Sequence, residues 1–213
     1  MADSTLHEEL YRSKEAMKRL QTFKVLVCGA GALGSNILES LARQGFTKLC
    51  VVDFDRVEDR NLSTQPYGRQ NIGQKKTSAI VNKIYRDLEI DILWQAVHMD
   101  AGNAGKFIKG WDLIVDAFDN APSRNIVAIR AKQENIPCLH VGIAEDGNYS
   151  EGVWNQVYSI PGEIEDSEIC NYPLARNLVS ITVGLACELI VQFATTGVQN
   201  TFTFTFKDLT INR

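Results

Sequence analysis

No Cys-x-x-Cys pair occurs in the 213 residues, and the five cysteines, Cys28, Cys50, Cys138, Cys170 and Cys187, lie far apart. That spacing speaks against a zinc knuckle and against a disulfide framework, so no zinc is expected and a reducing cytoplasm is the natural home. A basic excess is missing too. Against 26 acidic residues stand 22 lysines and arginines, a balance unlike that of a general nucleic-acid or membrane-surface binder. The longest apolar stretch, residues 178–194, is interrupted by Ser180, Thr182, Glu188 and Gln192. It reads as a buried helix, too short and too polar to span a bilayer. Residues 1–20 are charged and lack the apolar core of a signal peptide. With no internal repeat, low-complexity tract or linker, residues 1–213 are read as a single domain.

What the chain does contain is an alternation of strand and helix signals. Residues 4–22 place Leu6, Leu10, Met17 and Leu20 along one side of an N-terminal helix, suited to docking or to a dimer contact. Short apolar runs at 24–28, 49–54, 92–97, 113–117 and 138–142 have the character of strands buried on both faces. Helical spacing separates them at 33–44, 74–88 and 121–134. This order predicts an α/β fold with a Rossmann-like, doubly wound, mostly parallel sheet and a nucleotide-binding half over 23–142. Beyond it, 149–159 and 201–206 alternate side chains as antiparallel strands do. An acidic crossing at 161–173 and the long helix lie between them, so 143–213 is expected to extend the sheet.

The run Gly29-Ala30-Gly31-Ala32-Leu33-Gly34 follows a strand and opens a helix, the setting that gives a G-x-G-x-x-G pattern meaning. Gly29 serves the tight turn, Gly31 lets backbone approach a phosphate, and Gly34 brings helix against strand. The helix N-terminus then offers N–H groups and a positive dipole end to an anion. Asp53 ends the next strand, where an acid can bind ribose hydroxyls. These features alone indicate an adenosine-containing ligand, or a structural glycine turn beside a surface acid. The choice between NAD and ATP rests on four further segments: Asp53-Phe54-Asp55-Arg56-Val57, then Asn61-Leu62-Ser63-Thr64-Gln65, Gly73-Gln74-Lys75-Lys76 and Asp116-Ala117-Phe118-Asp119-Asn120. A dehydrogenase needs none of these, whereas a triphosphate needs a lysine on its oxygens and a carboxylate for magnesium.

In this order, Asp-x-Asp-x-Val, Asn-Leu-x-x-Gln, Gly-x-x-Lys and Asp-x-x-Asp-Asn resemble the ThiF/MoeB/HesA family of ubiquitin-activating-enzyme-like adenylyltransferases across residues 23–124. The resemblance implies adenylation, with Mg-ATP, of the C-terminal glycine carboxylate of a ubiquitin-like or sulfur-carrier protein. It implies that backbone around Gly31 and Ala32 cradles phosphate and that Asp53 holds ribose. Arg60, Asn61 and Gln65 would lie near the nucleotide, with Asp55 beside them. Lys76 would contact phosphates, and Asp119 with Asn120 would order magnesium and the reacting groups. The family also implies a homodimer with an arginine donated in trans, for which Arg12 is the nearest counterpart, and a thioester or persulfide cysteine, for which Cys170 is the candidate. One departure matters. Where the family carries an arginine in the Asn-Leu-x-Arg-Gln loop, this chain has Thr64, which cannot supply a charged fork. Arg60 or Arg69 would have to substitute, or the site is weakened.

Plainer readings stand beside these. Lys76 can be a solvated helix lysine, Asp119-Asn120 an N-cap, and Asp55 and Asp59 solvated loop acids. Cys170 lies among Glu165, Asp166 and Glu168, which would raise its pKa, and can be a bystander thiol. Cys28, Cys50, Cys138 and Cys187 are expected in the core, as are His98 and His140. Two rival functions remain open at this point: a catalytically weak binding or scaffold subunit, and an NAD(P)-dependent oxidoreductase resting on the glycine loop alone. Within the leading class, the acceptor could instead be a peptide terminus or a tRNA-linked amino acid, the latter disfavoured by the acidic balance.

Overall fold

The apolar runs of the first two thirds pair side by side in a computed structural model that describes residues 3–159 and 173–212. Lys24–Cys28 (β1), Lys48–Val52 (β2), Leu93–Gln95 (β3), Leu113–Asp116 (β4) and Cys138–Ile143 (β5) form a parallel sheet in the order β3-β2-β1-β4-β5. Tyr149–Trp154 (β6), Phe202–Thr205 (β7) and Thr210–Asn212 (β8) continue it antiparallel beyond β5. Period-2 geometry sends alternate side chains of β1 to opposite faces. Val25 and Val27 join one core with Leu49 and Val51, while Leu26 and Cys28 join another with Cys50, Val52, Ile114 and Cys138.

Helices cover both faces. Lys14–Thr22 (α2), Ala32–Arg43 (α3), Lys76–Leu88 (α4) and Arg176–Thr196 (α7) bury Met17, Leu20, Ile37, Ile80, Ile84 and Ile190 in the first core. Ala104–Ile108 (α5) and Ala121–Gln133 (α6) bury Ile108, Val127 and Ala131 in the second. The 21-residue α7 is long and apolar enough to cross a bilayer by length and composition. It was expected to be too short. Here it packs Leu178, Val179, Val183, Ala186 and Ile190 into the core beside α3, so the buried-helix expectation holds on packing grounds.

The N-terminal segment departs from the sequence reading. A single helix over 4–22 would align Leu6, Leu10, Met17 and Leu20. Instead Leu6–Arg12 (α1) and α2 are separated by Ser13 at φ 95°, whose Oγ accepts from the Ala16 N–H and caps α2. Only the α2 half docks: Met17 and Leu20 are buried, whereas Leu10 of α1 is 74% exposed. β3 is shorter than expected, an edge strand with Leu93 and Trp94 exposed. The strand expected over 149–159 stops at Trp154, and neither α5 nor β8 was anticipated.

Strand order reverses between β1 and β4: β1 leads on to β2 and β3 on one side, while β4 and β5 lie on the other. Ligands of open α/β sheets bind outside the carboxyl ends of strands at such a switch point. Gly29, Asp53 and Ala117 follow β1, β2 and β4 at this edge.

Candidate nucleotide site

Gly29 sits at φ +100° with its N–H bonded to the Val52 carbonyl at 2.8 Å, and an added Cβ would lie 2.9 Å from the Ala117 carbonyl oxygen. Both the backbone region and the space demand glycine. At Gly34 a Cβ would lie 2.0 Å from the Gly29 carbonyl oxygen, so the first turn of α3 rests directly on the loop. Gly31 differs: an added Cβ would meet nothing within 4 Å. As N-cap of α3 it has no side chain to offer the first-turn N–H groups, which leaves them for an anion.

Asp53 lies across this loop, 7% exposed. Its Oδ2 accepts from the Ala30 N–H at 2.6 Å and its Oδ1 from the Asp55 N–H at 2.7 Å. Burial pushes its carboxyl above the usual range, opposed by these bonds and by Lys76. Lys76, the first residue of α4, is buried, and its Nζ is 2.8 Å from Asp55 Oδ2. Lys76 is therefore no solvated helix lysine, and Asp55, expected as a loop acid, is its partner. Tyr67 fixes the pair to the glycine loop. Its hydroxyl donates to the Ala30 carbonyl at 2.8 Å, with the Lys76 carbonyl 3.3 Å away.

The loop after Asp55 is stapled by its own side chains. Asn61 Oδ1 accepts from the Glu58 N–H at 2.8 Å, and Arg60 pairs with Glu58 at 2.7 Å. Thr64 and Gln65 are buried. Asn36, in the first turns of α3, donates through Nδ2 to the carbonyls of Thr64 and Ala32, at 2.9 and 2.7 Å. Among the described residues the Gln65 Oε1 is buried with no hydrogen-bond partner, a group a ligand could satisfy. Asp119 is exposed after β4. Asn120 caps α6 by accepting from the Ser123 N–H at 2.9 Å, while its Nδ2 faces Asp119 at 3.4 Å. The N-cap reading of Asn120 thus holds and still leaves Asp119 open.

One network was not legible in the sequence. Asp116, fully buried at the end of β4, places Oδ2 2.8 Å from His140 Nδ1, and His140 Nε2 lies 2.9 Å from Asn155 Oδ1. The Tyr158 ring stacks on His140 at 3.7 Å. Arg124 donates to the carbonyls of Phe118 and Val141, each at 2.7 Å, clamping the loop that carries Asp119 to β5. His140 meets its core expectation, whereas His98 is exposed, edge-on to Phe54 at 5.0 Å. β3 ends at Gln95, leaving His98 outside the apolar strand expected to bury it. Cys28, Cys50, Cys138 and Cys187 are free and buried, and burial raises each thiol's pKa, that of Cys50 to about 12.

Arg12 is engaged within its own chain, with Nε 2.7 Å from Glu8 and Nη2 2.7 Å from Glu188 of α7. Arg69 pairs with Asp59 at 3.5 Å. Cys170 lies outside the described residues. Among the described residues, no group of three or more His, Cys, Asp or Glu is placed to hold a metal ion. A magnesium ion delivered on a triphosphate needs only one or two protein carboxylates, and Asp119, exposed after the carboxyl end of β4, is a carboxylate that could hold one.

The glycine loop, Asp53 and Lys76 converge on a switch point of a doubly wound sheet, the place where Rossmann-type folds take a nucleotide. The chain belongs to the ThiF family, which it matches over residues 6–173. It is 34% identical over 132 residues to the SAMP-activating enzyme E1 of Haloferax volcanii, covering 61% of this chain and 48% of that one. To the sulfur carrier protein adenylyltransferase of Thermus thermophilus it is 35% identical over 116 residues, 53% of this chain and 42% of the relative. The chain thus spans about half or less of the length of these relatives. Escherichia coli MccB with ATP shares the fold at a TM-score of 0.78 and 18% identity, covering 97% of this chain and 68% of that one.

Proposed function

We propose that the chain is an ATP-dependent adenylyltransferase that activates the C-terminal carboxylate of a ubiquitin-like or sulfur-carrier protein. The observation that carries this reading is the buried Lys76, held by the half-exposed Asp55, together with the open backbone cradle at Gly31. A dinucleotide site has no use for a buried, pre-positioned cation at that point. ATP bound there places ribose against Asp53 and phosphate oxygens over the first N–H groups of α3. Lys76 neutralises charge as the carboxylate attacks the α-phosphorus and pyrophosphate leaves, forming an acyl adenylate. Catalysis of this kind is positioning and electrostatic stabilisation. Magnesium, held by Asp119, would supply further charge neutralisation on the phosphates.

The relatives named for activating or adenylylating protein carriers support the acceptor class. A homodimer with Arg12 acting in trans belongs to the same proposal, and it requires Arg12 to leave Glu8 and Glu188. Transfer of the activated carboxylate to Cys170, and residence in a reducing cytoplasm, are further parts of it. The test is pyrophosphate–ATP exchange with candidate carrier proteins ending in Gly-Gly. Exchange that depends on the carrier and falls at least about 100-fold in Asp119→Ala, with an unchanged melting temperature, is expected. Tight ATP binding without exchange would instead favour a binding or scaffold subunit, a reading motivated by Thr64.

A further inference from the structure

The site is short of charge for the ligand it is built to hold. Asp53, Asp55 and Asp119 stand at its edge, and Lys76 is already paired with Asp55. Of the other cations around the loop, two are held by carboxylates and two donate to neutral carbonyls of the loop itself. Arg60 is on Glu58, Arg69 on Asp59, Arg56 donates to the Gly73 carbonyl and Lys75 to the Phe54 carbonyl. Thr64, in the middle of the loop, is buried and uncharged. A nucleoside triphosphate adds several negative charges to an acidic rim.

From this deficit and the placement of α7, we infer that Arg176 binds the phosphate chain of the nucleotide. The inference rests on the reading of the site as an ATP site. α7 runs beside α3 in the same direction: Cys187 lies 4.0 Å from the Ile37 carbonyl, and Arg19 of α2, in the helix leading into β1, bonds the carbonyl of Thr195 near the end of α7. Both N-termini therefore point to the carboxyl end of the sheet. Thr182 is hydrogen-bonded to Ser150, which pairs with Ile143 at the last residue of β5. Arg176 precedes Thr182 by six residues, so it stands roughly 9 Å beyond that level at 1.5 Å per residue.

From there its Nη1 donates to the Ser63 carbonyl at 3.2 Å. Ser63 adjoins Thr64, whose carbonyl shares the Asn36 amide with Ala32 at the start of α3. A chain of three hydrogen bonds, through the adjoining Ser63 and Thr64 and through Asn36, thus joins Arg176 to the helix end that receives phosphate. Among the described residues, Arg176 has no carboxylate within 4.0 Å and is exposed. Turning to a phosphate gives up one hydrogen bond to a neutral carbonyl and gains a charge-assisted, bidentate contact.

Calorimetric titration with Mg-ATP, and saturation-transfer NMR with adenosine, on wild type, Arg176→Ala and Arg176→Lys tests this. Hydrogen bonds to charged groups predict a loss of about 10- to 100-fold in ATP affinity for Arg176→Ala, with adenosine binding unchanged. Arg176→Lys should fall between, keeping charge without the fork. Melting temperatures of the three proteins should agree, since the side chain is exposed. If wild type binds ATP and Arg176→Ala binds it equally, the inference alone is overturned. An equal loss for ATP and adenosine also overturns it, because the residue then acts through the loop's shape. If wild type binds no ATP, the ATP reading fails and the inference with it.

Discussion

Two glycines three residues apart should fail in different ways when each becomes alanine. In Gly34→Ala the new methyl would sit 2.0 Å from the Gly29 carbonyl oxygen, where ordinary contact begins near 3.4 Å. The neighbour is backbone fixed by its own bond to Val52, so α3 must retreat by roughly 1.4 Å, the difference between those distances. Overpacking of this kind costs about 1–3 kcal/mol. For a chain of this size that corresponds to a melting temperature lower by roughly 2–12 °C. The retreat also carries the first-turn N–H groups of α3, which the proposed site sets against phosphate, away from Asp53, and an ångström of misplacement can cost on the order of 100-fold.

Gly31→Ala meets no atom within 4 Å and has φ −80°, open to any residue. Its cost to the fold is that of a poorer N-cap, up to about 1 kcal/mol. Its methyl, however, projects into the space a phosphate must enter. Scanning fluorimetry and calorimetric titration with Mg-ATP on both variants separate the effects. Gly31→Ala should lose ATP binding with little loss of stability, and Gly34→Ala should lose both. If Gly31→Ala bound ATP like the wild type, no phosphate would lie over that residue and the placement of the nucleotide would be wrong.

Removing the Asp116 carboxylate as Asp116→Ala leaves His140 and Arg124 without their buried partner. Breaking such a pair predicts a loss of about 3–5 kcal/mol, read from the urea midpoint at constant m-value. A loss under ~1 kcal/mol would show that the network adds nothing to the fold. Acidification should weaken ATP binding at a pH above the ordinary carboxylate range, because burial raises the Asp53 pKa and a protonated carboxyl accepts ribose hydroxyls poorly. Asp53→Asn should remove that pH dependence, and an unchanged profile in that variant would assign it elsewhere. In stability the sign reverses. The folded chain holds this proton more tightly than the unfolded one, so Asp53's contribution is full below about pH 3.9 and is lost as pH rises through its folded value.

What could be read from the sequence was what the backbone demands locally. Gly29 and Gly34 are required by a positive φ and by contacts within a few residues, and Asp53 follows its strand at a fixed spacing. Such requirements leave a mark in the residue type itself. The break at Ser13 left none, because a serine in a charged helical pattern is equally good as an exposed helix residue and as the cap it turns out to be. The strand bounds failed at the edge strand β3, where burial on both faces no longer applied, and beyond Trp154, where the alternating strand expected to 159 gives way to a turn.

Side-chain partnerships follow a different logic. Lys76 carried its signal in Gly-x-x-Lys and Asp55 its own in Asp-x-Asp, yet nothing in the sequence paired Lys76 with Asp55 rather than with Asp59 four residues on. An isolated bridge outside the sheet chooses between them: Arg56 pairs with Lys75, and the Lys76 N–H bonds the Asp55 carbonyl, which brings the two side chains together. His140 meets Asp116 only because β4 and β5 pair in register at those two residues. Arg176 reaches Ser63 across 113 positions of chain because α7 lies alongside α3. The charges that would hold a triphosphate thus come from separate elements whose meeting is a property of the packed sheet. A substitution such as Thr64 in one loop therefore says little about the net charge the site can bring to bear. That charge has to be counted in three dimensions, and there Arg176 enters the sum.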